Sequence, residues 1–339
     1  MGRTEKHKDI TMIQRVDVHH HFVPPFYAQA LVEGGGDPSG WTIPDWTIEK
    51  DLEFNKEEGI AFTFLSITAP GAGIVPLEKQ AAFCRQANEY TAAICASHPT
   101  RYGFFASIPS LLDPASAQEE IVYALDKLGA DGVTLYTRYG KDNHYLGHPD
   151  FRSTWDLLNE RGAVVFVHPT HPVDTALVNS TLPQPMIDYP HETTRTAVDL
   201  ITSGSVRSHP NVKIILSHAG GTLPYLALRP AAMLPYLPGN LAGRDQPNTT
   251  LTNNFVEDAR EFYFDTALSA GPLTLSLLKE FAKPGRVLFG SDYPYAPTPA
   301  IKQMNGLIDE YQKKDEVFVS SVNLDAAKEL FPRLSSLLD

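Results

Sequence analysis

The sequence predicts a (β/α)₈ barrel of the TIM type, with inserted loops on its C-terminal face and a helical C-terminal tail. Three observations predict it. Eight short β-rich runs alternate with longer amphipathic stretches along 339 residues. Most of the runs are near-continuously apolar, as parallel strands buried on both faces are. No glycine-rich phosphate loop follows an early strand, which removes the main argument for a doubly wound open sheet. A typical barrel needs only ~250 residues. No Pro/Gly linker divides the chain, so one domain over 1–339 is expected, with its core at about 14–334.

The expected strands are 16–21 (VDVHHH), 62–68, 102–109, 132–137, 164–169, 213–221 (KIILSHAGG), 262–267 and 287–294 (VLFGSDYP). Helices are expected over 78–98, 115–129, 151–162 and 271–283, and the strongest stretch of the tail is 321–334. The second of these opens after Asp113-Pro114 and closes on Gly129, good start and stop signals. Three connections are too long for turns: 23–45, 170–191 and 235–254. Barrel enzymes build their sites from such insertions.

Composition narrows the function. The formal net charge of −12 disfavours nucleic acid as a partner and requires a local cation for any anionic substrate. No apolar run reaches the ~18 residues of a membrane span. The polar first fifteen residues do not read as a signal peptide. Cys84 and Cys95 fall on one helix ~16 Å apart, too far for a disulfide. A cytoplasmic protein is the expectation, and Asn179 and Asn248 then carry no glycan.

The chemistry gathers at strand ends. His19 and His21 stand two apart on a strand, so they share a face while His20 points away. His168 closes the fifth run, His218 the sixth and Asp292 the eighth. Three imidazoles and a carboxylate around one axis suit one divalent ion, Zn²⁺, or Mn²⁺ with added water and substrate ligands. Two-metal barrel hydrolases often place a bridging lysine at the end of strand 4. Here that end reads Leu135-Tyr136-Thr137-Arg138, which favours one metal. His144, His171 and His191 are further loop candidates. Tyr136, Phe22, Trp41, Trp46 and Tyr189 are candidate pocket walls.

DVHHHF, VHP, ETT (192–194), SHAGG and FGSDYP, in this order, resemble the amidohydrolase superfamily, and within it the branch of aminocarboxymuconate semialdehyde decarboxylase. The resemblance runs from the first strand to the eighth. It implies His19, His21, His168 and Asp292 as metal ligands and His218 as their catalytic neighbour. It also implies that Arg229 reaches into a partner subunit to hold a substrate carboxylate, hence a homodimer. A second carboxylate-binding arginine is expected between the first two strands, yet none occurs between Arg15 and Arg85, which favours a monocarboxylate. The HxH start with VHPTHP…PHETTR resembles the fungal 6-methylsalicylate decarboxylases. That implies a carboxy-lyase of secondary metabolism that converts this aromatic polyketide acid to 3-methylphenol and CO₂. Asp292 or His218 would deliver the proton. The same ligands could serve a mononuclear hydrolase or hydratase of a lactone, amide or unsaturated acid. They could also serve a non-catalytic, metal-stabilised scaffold.

Overall fold

The computed structural model describes residues 14–237 and 254–338. The expected loop 235–254 lies mostly outside them, as do the polar N-terminal residues 1–13 and Asn248.

Eight parallel strands follow one another around the sheet in chain order: β1 (Arg15–His21), β2 (Ile60–Ser66), β3 (Tyr102–Ser107), β4 (Gly132–Tyr136), β5 (Val164–His168), β6 (Lys213–Leu216), β7 (Tyr263–Asp265) and β8 (Val287–Leu288). The segment after β8 returns to β1. Val18 N–H donates to the Phe289 carbonyl (3.0 Å), Asp292 N–H to that of His19 (2.8 Å) and His21 N–H to that of Tyr293 (2.7 Å). Among the described residues, no helix is long and apolar enough to cross a membrane.

Helices α1 (Pro25–Glu33) and α2 (Ile48–Glu57) join β1 to β2, and α3 (Leu77–Ser97) joins β2 to β3. Next come α4 (Pro114–Asp126), α5 (Arg152–Glu160) and α6 (Gln184–Thr202). After β7 and β8 lie α7 (Pro272–Phe281) and α8 (Thr298–Gln312). Each lays a helical stripe on the strands. Ala117, Ile121 and Ala124 of α4 are wholly buried, and Asp113 caps that helix by accepting from Ser116 N–H at 3.2 Å.

Two expectations shift. Residues 184–191 are helix, because Pro183 is the extended N-cap and Pro185 falls in the first turn, where a missing N–H costs nothing. Pro190 stands inside α6 at the expense of one helical bond, and the Thr194 hydroxyl takes up its carbonyl (3.0 Å). The runs expected at 213–221 and 287–294 end early, at Leu216 and Leu288. There the backbone turns left-handed, at His218 (φ 55°), Ala219 (φ 59°) and Asp292 (φ 64°). Such strain in non-glycine residues costs of order 1–3 kcal/mol each and gathers at functional sites.

The barrel interior is plugged from below. Val16, Val18, Phe62, Phe64, Phe105 and Phe166 meet Ala326, Ala327, Phe331, Leu334 and Leu338 of the tail. The Phe64 and Phe331 rings lie 4.2 Å apart, and Arg333 pairs with Asp131. The tail is helical, as expected, but not uniformly so. It runs as a widened turn (Ser321–Asp325), a short helix (Ala326–Leu330) and a tight turn (Pro332–Ser336).

β1 departs from strict alternation. Asp17 pairs with Thr63 and His20 with Leu65, an advance of three residues against two. This bulge lets Asp17 and His20 meet outside the barrel while His19 and His21 face in. His20 lies between Asp17 Oδ2 (2.9 Å) and Asp51 Oδ2 (2.8 Å) of α2, all three buried. Trp46 Nε1–H (2.7 Å) and the Tyr102 hydroxyl (2.6 Å) also donate to Asp51. Burial opposes a charge on His20, but Asp51 and Asp17 outweigh it and raise its pKa to about 9. Deleting the ring strands two buried carboxylates. His20→Ala should therefore lose on the order of 3–5 kcal/mol in urea titrations, yet retain bound metal. Metal loss would place His20 on the inner face and shift the register by one residue.

Candidate active site

The ends of β1 and β5 and the turn after β8 bring their side chains together at the C-terminal mouth. His19, His21, His168 and Asp292 each offer one ligand atom, and all four atoms lie within 4.8 Å of one another. The other nitrogen of every imidazole is engaged. His19 Nδ1–H donates to Asp265 Oδ2 (2.8 Å), His21 Nδ1–H to the Ser66 carbonyl (3.2 Å) and His168 Nδ1–H to the Pro169 carbonyl (2.8 Å). A carbonyl only accepts, so these tautomers aim Nε2 lone pairs at a common point.

That point calls for a cation. His19 Nε2 and His21 Nε2 are 3.2 Å apart, and Asp292 Oδ1 lies 3.4 and 3.3 Å from them. Ligands held at about 2.0–2.1 Å by a tetrahedral ion lie about 3.3–3.4 Å apart. Burial opposes a proton on His19, yet Asp265 and Asp292 outweigh it and raise its pKa to about 10. Burial, with its histidine neighbours, holds His168 well below the usual range. Burial alone would raise Asp292, but the hydrogen bond and charge of His19, with a hydrogen bond from His21, keep it well below the carboxylate range. A divalent ion meets the same demand without a proton, so the donor set fits one.

His218 adjoins this cluster, its ring 4.7 Å from that of His19. Its Nδ1–H donates to the Ala267 carbonyl (3.1 Å), which leaves Nε2 as the acceptor of the neutral ring. The glycines after it permit a close approach. A Cβ on Gly221 would stand 1.9 Å from the Pro190 carbonyl oxygen of α6. Thr194 of the ETT segment then accepts from Thr222 N–H (2.7 Å), tying α6 to this turn.

A cavity of about 290 Å³ opens above His168, His218 and Asp292. Trp41, Tyr189, Met186, Leu268 and Tyr295 give it a largely apolar wall, and Asp37 and Ser39 stand among its polar residues. Among the described residues, no arginine or lysine lines it. The Tyr295 hydroxyl is buried with no hydrogen-bond partner among the described residues.

The other expected positions divide. Trp41 and Tyr189 are walls. Phe22 and Trp46 instead pack on each other in the core (5.9 Å), because Trp46 is drawn to Asp51. Tyr136 turns its hydroxyl to the Ile67 and Thr68 carbonyls and lines a neighbouring cavity with His171. His191 is exposed, and His144 pairs with Asp150 away from the cluster. Arg229 is exposed on the helix Leu228–Met233 and does not line the cavity of its own chain. Sequence reasoning missed Asp265, whose Oδ2 orients His19 and whose Oδ1 accepts from His218 N–H (3.0 Å). Its place at the end of the seventh run was the available signal. Asp37 and Tyr295 gave none.

The amidohydrolase family model matches residues 16–333. The chain is 55% identical to a 6-methylsalicylic acid decarboxylase of Penicillium expansum, over 96% of this chain and 98% of that one. A 6-methylsalicylic acid decarboxylase of Aspergillus aculeatus is 53% identical, over 94% and 96%. Among solved structures, a dihydroxybenzoic acid decarboxylase from Polaromonas with bound manganese and 2-nitroresorcinol superposes with a TM-score of 0.79. It is 22% identical, over 96% of this chain and 99% of that one. A family match from the first strand into the tail, with relatives identical at more than half of the aligned positions, shows that this chain belongs to the amidohydrolase family.

Proposed function

We propose that the protein is a metal-dependent, non-oxidative decarboxylase that converts 6-methylsalicylate to 3-methylphenol and CO₂. One observation carries the reading: a cation-demanding floor of three imidazoles and a carboxylate beneath a small, largely apolar cavity that, among the described residues, no arginine or lysine lines. Its volume of about 290 Å³ falls at the small end of the ~300–1,000 Å³ range of ligand pockets, a size for a single ring. A methyl-bearing ring suits the wall. A second carboxylate would meet Asp37, with no arginine or lysine beside it among the described residues of the same chain. The two fungal relatives, named for this acid and alike over nearly their full length, support the same substrate.

His19, His21, His168 and Asp292 hold one ion per subunit in this reading. Three imidazoles and a carboxylate suit Zn²⁺, and the manganese of the Polaromonas structure supports Mn²⁺ as the alternative. When bound, it supplies Lewis acidity that draws charge from the substrate's carboxylate and ortho oxygens. Asp292 takes the proton of the ortho hydroxyl and returns it to the ring carbon that bears the carboxylate. The bond to the carboxylate then breaks, its electron pair restores the aromatic ring, and CO₂ leaves. The resulting phenolate gains one proton from solvent, passed through His218 Nε2. Tyr295 offers its hydroxyl to the substrate, while Trp41 and Tyr189 hold the ring and exclude water.

The homodimer belongs to the same proposal. Arg229 sits amid large exposed apolar side chains, Tyr225, Leu228, Met233 and Tyr236. Such a patch suits burial against a second copy, which would carry Arg229 toward the partner's cavity.

Three outcomes are expected. Metal-replete protein given a panel of hydroxybenzoates should release CO₂ and 3-methylphenol fastest from 6-methylsalicylate. A chelator should stop this, and Zn²⁺ or Mn²⁺ should restore it. Ring opening or hydrolysis without CO₂ would replace the reading. Next, His19→Ala, His21→Ala and His168→Ala should each bind well under one metal per subunit. His218→Ala should keep the metal and lose ~10²-fold or more in turnover. For Asp292→Asn, metal-bound protein with turnover within tenfold of wild type would remove Asp292 from proton transfer. Finally, Arg229→Ala should raise KM with metal content unchanged, and its mixture with Asp292→Asn should regain activity through subunit exchange. A fully active monomer, or free exchange without regained activity, would dismiss the shared site.

A further inference from the structure

Residues 138–151 hold a second cluster of metal-ligating side chains, none of which lines the decarboxylation cavity. Arg138–Tyr139 and His144–Tyr145 pair as a small antiparallel hairpin directly after β4. The turn Pro149–Phe151 follows, capped by the His148 side chain, and leads into α5. The seven-residue segment HYLGHPD thus supplies His144 from the return strand, His148 from the cap and Asp150 from the turn.

Both imidazoles converge on one oxygen. His144 Nε2 lies 3.6 Å and His148 Nδ1 3.4 Å from Asp150 Oδ2, with the rings 4.1 Å apart. These separations exceed the 2.7–3.2 Å of a good N–H···O bond. They match the pattern at the barrel mouth, where two imidazole nitrogens lie 3.4 and 3.3 Å from Asp292 Oδ1. They also approach the ligand–ligand edge of about 3.3–3.4 Å around a tetrahedral ion. The rings pack near the wholly buried Phe151 (6.3 and 6.0 Å), which fixes their orientation. Asp150 has no lysine or arginine as an ion-pair partner among the described residues. One contact competes: Asp150 N–H donates to His148 Nδ1 at 3.3 Å, a long bond that coordination displaces.

We propose that His144, His148 and Asp150 form a second divalent-metal site, separate from the decarboxylation centre. Two imidazoles and one carboxylate select late first-row ions, Zn²⁺, Ni²⁺ or Cu²⁺, over the oxygen-seeking Mg²⁺ and Ca²⁺. The three side chains are 25%, 35% and 57% exposed, so water completes the coordination and binding is weaker than at the buried four-donor site. The bound ion staples the hairpin to the turn that starts α5.

Zinc titration of the purified full-length protein, read by calorimetry and by metal analysis after dialysis, tests this. Wild type should bind one tight ion and a second in the micromolar range. His144→Gln and Asp150→Asn should each drop the count from two to one by losing the weak ion. His19→Ala should lose the tight ion and keep the weak one. In that variant, micromolar zinc should still raise Tm, and adding His144→Gln should abolish the rise. His148→Gln also removes a cap, so His144→Gln, with circular dichroism matching wild type, is the deciding variant. Saturation of wild type at one ion, or survival of the weak ion in both His144→Gln and Asp150→Asn, would overturn the assignment. Neither readout depends on turnover, so failure here leaves the decarboxylase reading standing.

Discussion

The seam between the first and last strands is what the rest of the molecule depends on. It is made of backbone hydrogen bonds between residues 18–21 and 289–293, and it does two things at once. It closes the barrel, and it carries Asp292 to within 3.4 Å of two histidines some 270 residues earlier in the chain. Its tolerances are narrow. A Cβ on Gly290 would stand 2.8 Å from that of His19, and Asp292 itself is held at positive φ. Asp17 Oδ1 accepts from both His19 N–H and Ser291 N–H at 3.1 Å, so one buried carboxylate spans the joint. The strain at Asp292 is sustained by this web of neighbours rather than by local preference.

Electrostatics give the seam its purpose. The chain is strongly acidic overall, and among the described residues its cavity has no arginine or lysine. Buried Asp265 and half-buried Asp292 face histidines whose tautomers are fixed from behind by carbonyls and a carboxylate. Charge is expensive to bury unless paired, so the floor is built around a positive centre. That centre gives an anionic substrate an attractive point within a field of net negative charge, which favours one orientation as well as one place.

Much of this was legible in the sequence. Eight apolar runs gave the barrel, and HxH alternation separated His19 and His21 from His20. The glycines after His218 foretold a close approach, which Gly221 makes against α6. What escaped was long-range or conformational. Nothing in VDVHHH announces a bulge, because it arises from the pairing of β1 with β2. The strands ended sooner than their apolar patterns because positive φ at His218 and Asp292 is imposed by tertiary contacts. Proline content suggested a loop where α6 begins, since composition does not distinguish a first-turn proline from a breaker. Trp46 went to the core because a buried aspartate wanted its N–H, a partner that only the fold reveals.

The plug beneath the barrel bears on how the molecule is made. Phe331, Leu334 and Leu338 cover an interior whose other walls are Phe62, Phe64 and Phe105, more than 220 residues upstream. During synthesis those aromatic rings leave the ribosome long before their cover does. Until the tail arrives the barrel floor is open to water, and Asp292 too is among the later residues to emerge. A nascent chain therefore carries a sticky, half-lined cylinder for most of its translation. Its dependence on chaperones should fall sharply only when the last turn docks.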